Sequence, residues 1–217
     1  MSKGRTAFSD FEHAGWQRLA GGYDTFFKQL VLQTIDPLLD AAQVGKAERL
    51  LDLCSGPGYV ADRARRRGAE PIGLDFSAEM IAIAKQSYPD LQFQEGDAED
   101  LPFADGSFDV VVMNFGMHHL GRPERATGEI ARVLRGGGRL AFTVWAAPSE
   151  SIGHRIILSA VERHGTLDLD RAPSGGVAGC SWPELDDWLG SGAQAAGMRR
   201  GRACGSSLRL ASFSRLM

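Results

Sequence analysis

The stretch LLDLCSGPGYVADRA, Leu50 to Ala64, constrains this chain more than any other: an apolar run holding one acid, a glycine-rich turn, then a helical pattern. Gly56, Gly58 and Ala61 fall at the spacing G-x-G-x-x-A, which lets a strand turn tightly into a helix and lets a ligand approach the backbone beside the helix N-terminus. The spacing alone does not choose the ligand. A dinucleotide would set its pyrophosphate on such a turn, and an adenosine without phosphates would use the same loop differently.

The rest of the chain repeats the alternation. Apolar or β-branched runs cover Arg49–Leu53, Glu70–Leu74, Leu91–Glu95, Asp109–Asn114 and Arg139–Trp145, and helical patterns cover Tyr59–Arg67, Ala78–Ser87 and Arg122–Leu134. That order predicts an α/β fold with a doubly wound, mainly parallel sheet and helices on both faces. Such sheets bind ligands beyond the carboxyl ends of their strands, at a topological switch point. Ahead of the sheet, Phe11–Leu19 and Asp24–Ala42 have apolar residues at helical spacing, with Phe26, Phe27, Leu30, Val31, Ile35, Leu38 and Leu39 as a stripe, which predicts an N-terminal helical cap. Beyond Trp145, Ser151–His164 and Trp182–Leu189 read as helices around the loop APSGGVAGCS, and Ser207–Phe213 reads as a strand. At 217 residues the chain fits one domain, with 1–44 as cap, 45–145 as ligand-binding core and 146–217 as acceptor-side helices and sheet edge.

A formal charge of -3 lacks the basic surplus that draws a protein to phosphate backbones, so nucleic acid is not an expected partner. The run of Arg199, Arg200, Arg202, Arg209 and Arg215 reads as a solvated sheet edge. A short polar start and the lack of an apolar run near 20 residues predict a cytoplasmic chain without membrane insertion. Cys54, Cys180 and Cys204 lie far apart without a CxxC pair, which disfavours a disulfide framework and a metal site.

The acids at the strand ends narrow the ligand. Asp75 follows the second strand about 20 residues after the glycines, where a carboxylate accepts both ribose hydroxyls, in an NAD site and an adenosine site alike. Asp52, near the carboxyl end of the first strand, suits a cationic ligand better than an anionic pyrophosphate. Asp97 follows the third strand, able to accept from an adenine amino group while the Ala98 N–H reaches a ring nitrogen. Together these fit S-adenosylmethionine. An NAD-dependent oxidoreductase remains the rival reading, although no hydride-acceptor constellation is visible, and a cofactor-binding module without catalysis is a third.

The motifs LLDLCSGPG, GLDFS, GDAEDLPFADGSFDVVV, MNFGMHHL and EIARVLRGGGRLAFTVW, in that order, resemble those of class I S-adenosylmethionine-dependent methyltransferases, in the small-molecule branch that includes ubiquinone and menaquinone type enzymes. The resemblance implies a Rossmann-like core and a small-molecule acceptor; a monomer or homodimer is expected. It assigns Asp52, Gly56 and Gly58 to the methionine end, Asp75 to the ribose, Phe76 and Met80 to the adenine faces, and Asp97 with Ala98 to the adenine edge. Asn114 would lie near the methionine moiety, and Tyr23, in GGYD, would close over the cofactor. One departure is Cys54, where the family often has glycine and where a positive φ would strain any other residue.

Large side chains suited to an apolar or aromatic acceptor are Trp16, Tyr23, Phe115, Met117, Trp145, Ile152 and Ile156. His118 and His119 follow the fourth strand, where a histidine is able to take a proton from a phenol or amine. The resemblance implies a structural role for His119, which leaves His118 as the expected base.

Overall fold

The computed structural model describes residues 6–145, 159, 163, 198–200 and 208–215. Among these lie seven strands: β1 (Arg49–Leu53), β2 (Glu70–Asp75), β3 (Gln92–Glu95), β4 (Phe108–Asn114), β5 (Leu134–Trp145), β6 (Met198–Arg200) and β7 (Leu208–Arg215). Six helices accompany them: α1 (Ala7–Leu19), α2 (Tyr23–Phe26), α3 (Lys28–Ala41), α4 (Tyr59–Arg66), α5 (Ala78–Ser87) and α6 (Pro123–Val133). The strands form one sheet in the order β3-β2-β1-β4-β5-β7-β6. β1 to β5 are parallel, and β7 pairs antiparallel with both β5 and β6. The sheet is thus mainly parallel, as the alternation predicts. The chain leaves β1 toward β2 and later returns on the other side as β4, so the carboxyl ends of β1 and β4 flank a switch point.

Successive side chains of a strand point to opposite faces, so continuous apolar strands need cover on both. Leu50, Val110, Val112 and Ala141 face one cluster, which α3 and α4 complete with Val31, Ile35, Leu38, Leu39, Val60 and Ala64. Leu51, Leu53, Val111, Met113, Leu140 and Phe142 face the other, completed by Ala126, Ile130 and Val133 of α6. Helix α5 sets Ile81 and Ala84 against Phe93 of β3. Each fully buried Leu, Val or Ile contributes about 1.5–3 kcal/mol, so these two covers fix the layers far more firmly than helix propensity does.

Three boundaries differ most from the sequence expectation, each for a local reason. The Thr6 hydroxyl caps the Ser9 N–H at 3.0 Å, so α1 starts at Ala7 rather than Phe11. The helix expected over Asp24–Ala42 is split at Phe27, where the Tyr23 and Phe27 rings pack at 5.5 Å and both approach Trp16. Strand β5 begins at Leu134, opposite Phe108, and absorbs the glycines before Arg139 by a register shift. The helices expected over Ser151–His164 and Trp182–Leu189 lie outside the described residues, Ser159 and Arg163 excepted. Among the described residues no helix is long and apolar enough to cross a membrane.

Candidate active site

At the switch point, the ends of β1, β2 and β4, the loop after β3 and the helices of the cap enclose about 800 Å3 of space, mouth included. Its wall holds Tyr23, Gly56, Asp75, Phe76, Met80, Asp97, Ala98 and Asn114, eight of the ten residues expected to hold the cofactor.

The turn after β1 is built around Asp75. Its Oδ2 accepts the Gly56 N–H at 2.8 Å and its Oδ1 the Ser77 N–H at 2.9 Å, which ties the glycine turn to the start of α5. Burial pushes the Asp75 carboxyl up; these two N–H donors, then His119 and His13, oppose the shift. Each oxygen retains a lone pair for a ligand hydroxyl. Asp97 Oδ1 accepts the Glu99 N–H at 2.9 Å, which leaves Oδ2 for an amino group.

Cys54 and Phe115 both adopt positive φ, +57° and +61°, at the cavity wall. For Cys54 the left-handed conformation costs about 1–2 kcal/mol. Gly116 makes room for it: a Cβ there would lie 2.7 Å from Cys54 Cβ and 2.8 Å from its Sγ. Burial and the charges of Asp75, Asp52 and Asp97 raise the thiol well above its ordinary value, so it stays protonated.

Asn114 is held by two threonines that the sequence reading did not single out. Thr143 Oγ1 accepts the Phe115 N–H at 3.0 Å and donates to Asn114 Oδ1 at 2.6 Å. Thr34 Oγ1 lies 3.0 Å from the same oxygen and 2.8 Å from the Val31 carbonyl, its one proton serving two acceptors. Asn114 Nδ2 is buried without a hydrogen-bond partner among the described residues, in a wall facing the cavity. It is a donor awaiting an acceptor.

Asp52 and Gly58 are not among the lining residues. Asp52 shares its strand face with Leu50, beneath α4, and its Oδ2 accepts the Ala61 N–H at 3.0 Å. Where it is ionised, its influence on the cavity is electrostatic: Tyr23 is pushed up to about 12 by burial, then by the charges of Asp75, Asp24 and Asp52. Gly58 has φ +88° and faces away from the cavity, where a Cβ would lie 2.6 Å from the Phe93 ring. Of the histidines in the turn after β4, His119 lines the cavity and His118 does not. The geometry thus favours His119 for contact with a bound molecule, the reverse of the sequence expectation.

Helix α1 lies over this cavity, lining it with Ser9 and Trp16, where a lid would sit. Gln17 Oε1 accepts the Ser77 hydroxyl at 2.5 Å and the Glu79 N–H at 3.2 Å, which pins α1 to the N-terminus of α5. His13 stands edge-on to Phe76 at 5.4 Å. Near its own start, α1 touches Gly121, where a Cβ would collide with Ser9 Oγ and Thr6 Oγ1. Gly121→Ala is therefore expected to displace the Thr6 cap, at about 1 kcal/mol, and to speed amide exchange in α1 roughly fivefold. Unchanged exchange across Ala7–Leu19 would show that the lid does not depend on this contact. Cofactor binding is expected to slow exchange in the same helix, as lid closure requires.

A methyltransferase-domain family model matches residues 51–142. Among solved structures, a SAM-dependent methyltransferase from Aquifex aeolicus aligns with TM-score 0.67 at 17% identity, covering 92% of this chain and 98% of that one. One from Thermotoga maritima aligns with TM-score 0.67 at 21% identity, covering 94% and 99%. The family match over residues 51–142 and these alignments make the chain similar to S-adenosylmethionine-dependent methyltransferases, whose fold it shares. Within that class, the chain is similar to demethylmenaquinone methyltransferases: 36% identical over 112 residues to that of Renibacterium salmoninarum (52% of this chain, 47% of the relative) and 41% over 110 residues to that of Beutenbergia cavernae (51% and 46%). The chain spans about half the length of these curated relatives.

The wall fits S-adenosylmethionine by its own chemistry. Asp75 offers two acceptor lone pairs for vicinal hydroxyls, and the orphaned Asn114 Nδ2 calls for an acceptor such as a carboxylate. A side chain at Gly56 would enter space where no protein atom lies within 4 Å, which leaves the backbone open to close approach. Among the described residues no group of His, Cys, Asp or Glu is arranged to hold a metal ion.

Proposed function

We propose that this chain transfers the methyl group of S-adenosylmethionine to a small aromatic acceptor of quinol type. The observation that carries the reading is the shared wall. The ribose-binding geometry of Asp75 and the aromatic surface of Trp16, Tyr23 and Phe115 belong to one cavity. When bound, the sulfonium supplies a methyl carbon open to in-line displacement.

The chain's own residues then bind, orient and exclude water. Asp75 holds the ribose hydroxyls, Phe76 and Met80 flank the adenine, and Asp97 with the Ala98 N–H reads its edge. Asn114 Nδ2 holds the methionine carboxylate, with Thr34 and Thr143 fixing its amide. Phe115, stacked on Trp145 at 4.8 Å, and the Trp16 and Tyr23 rings of the cap form a wall for a flat, apolar acceptor. The quinol class is supported by the similarity to demethylmenaquinone methyltransferases. The net charge of -3 supports a small-molecule rather than a nucleic-acid partner, for a cytoplasmic monomer or homodimer.

Calorimetry with S-adenosylhomocysteine and NAD side by side tests the cofactor. The homocysteine compound is expected to bind and NAD to give no heat. Binding of NAD alone would replace this reading with an oxidoreductase. Methyl transfer to naphthohydroquinone, followed by mass spectrometry, tests the acceptor class.

A further inference from the structure

Glu12 of α1 and His119 after β4 meet beside the cavity, which His119 lines. His119 Nδ1 lies 2.6 Å from Glu12 Oε2, and the same oxygen accepts the Trp16 indole N–H at 3.2 Å. Both side chains are half-buried, and Trp16 stands edge-on to the imidazole with centroids 4.9 Å apart. A carboxylate at Nδ1 selects the tautomer with its proton there and leaves a lone pair on Nε2. Among the described residues Nε2 has no hydrogen-bond partner, and the ring lines the cavity beside Asn114, Phe115 and Trp16.

We propose that Glu12 and His119 form a dyad in which His119 Nε2 takes the proton of the acceptor's hydroxyl and Glu12 is the positioning residue that orients the ring. The proposal rests on the methyl-transfer reading above. The step is a proton transfer: the acceptor O–H bond breaks, an N–H bond forms at Nε2, and the electron pair stays on oxygen, conjugated with the ring to be methylated. The imidazolium lies against the Glu12 carboxylate; the ring carbon takes the methyl as the C–S bond breaks, its own hydrogen leaves as a proton to water, and Nε2 returns its proton to the oxygen, so one proton is released for each methyl group transferred. Because Glu12 rides on α1, the base is complete only when the lid is seated. Proton removal and exclusion of water are thereby joined in one motion.

Nitrogen NMR of the full chain, labelled at the histidine rings and saturated with S-adenosylhomocysteine, reads the tautomer without turnover. Wild type is expected to carry the His119 proton on Nδ1, and Glu12→Leu to lose that preference. With naphthohydroquinone as the acceptor probe, His119→Gln is expected to lower kcat about 100-fold and Glu12→Leu about tenfold. The KM for S-adenosylmethionine should stay within about twofold of wild type. If the pair is only a latch on the lid, KM rises while kcat holds, which overturns the proposal. A His119 proton on Nε2 in the wild type overturns it too. Should Glu12→Leu fail to fold by circular dichroism, Glu12→Gln replaces it: a lowered kcat supports the dyad and an unchanged one refutes it. Failure of wild type to bind S-adenosylhomocysteine in calorimetry would instead remove the methyl-transfer reading, with the tautomer still reporting on the dyad.

Discussion

Asp75→Ala is expected to weaken S-adenosylhomocysteine binding about 100-fold, or ~3 kcal/mol, in a protein that still folds. Two losses add. The ribose hydroxyls lose charge-assisted acceptors, and the turn loses the carboxylate that holds the Gly56 and Ser77 N–H groups at 2.8 and 2.9 Å. The second loss matters because the glycine turn must be ordered before any ligand arrives. Asp75→Asn separates the two. It keeps the side-chain shape but has one acceptor oxygen, so one backbone N–H would face an amide N–H, donor against donor. An affinity for Asp75→Asn close to that of Asp75→Ala is therefore expected. Calorimetry showing unchanged affinity in folded Asp75→Ala would take Asp75 out of the site.

The sheet and the arc of residues that line the cavity are legible because the signals are local. A strand, a turn and a helix start within a dozen positions, Asp75 ends β2 with Phe76 next, and Asp97 and Ala98 lie within three positions of the end of β3. The lid contacts were not legible. Gln17 meets Ser77 60 positions away, and Glu12 meets His119 107 positions away, with no periodicity to announce either pair. Thr34 did carry a signal: it is a polar residue on the apolar stripe of α3, and burial there demands a partner. The choice between His118 and His119 rests on the 3-10 turn over Met117–His119, which decides which ring faces the cavity. The strain at Cys54 is legible as a non-glycine residue where φ is positive; that Gly116 makes room for its side chain belongs to packing between two loops.

Asp52→Asn is expected to gain stability relative to wild type as pH rises. The carboxyl is 1% exposed, and burial pushes it up to about 8 from an ordinary 3.8; the Ala61 N–H opposes the shift and the charge of Asp75 adds to it. Between those two values the folded protein holds a proton that the unfolded chain has released. Stability from this group is therefore full below the unfolded value, falls as pH rises and levels off above the folded value, with a slope of at most about 1.4 kcal/mol per pH unit. An asparagine keeps an acceptor for the Ala61 N–H and has nothing to ionise. The gap between variant and wild type should grow by about 4 kcal/mol between roughly pH 5 and pH 8.5, or about 8–16 °C in Tm for a chain of this size. Melting curves of both proteins across that range read the gap directly. A constant gap would mean that Asp52 is already ionised in the folded state, its charge held by the N-terminus of α4. In that case the cavity would be more strongly negative before any ligand enters, and a sulfonium would be drawn to it by a charge already in place.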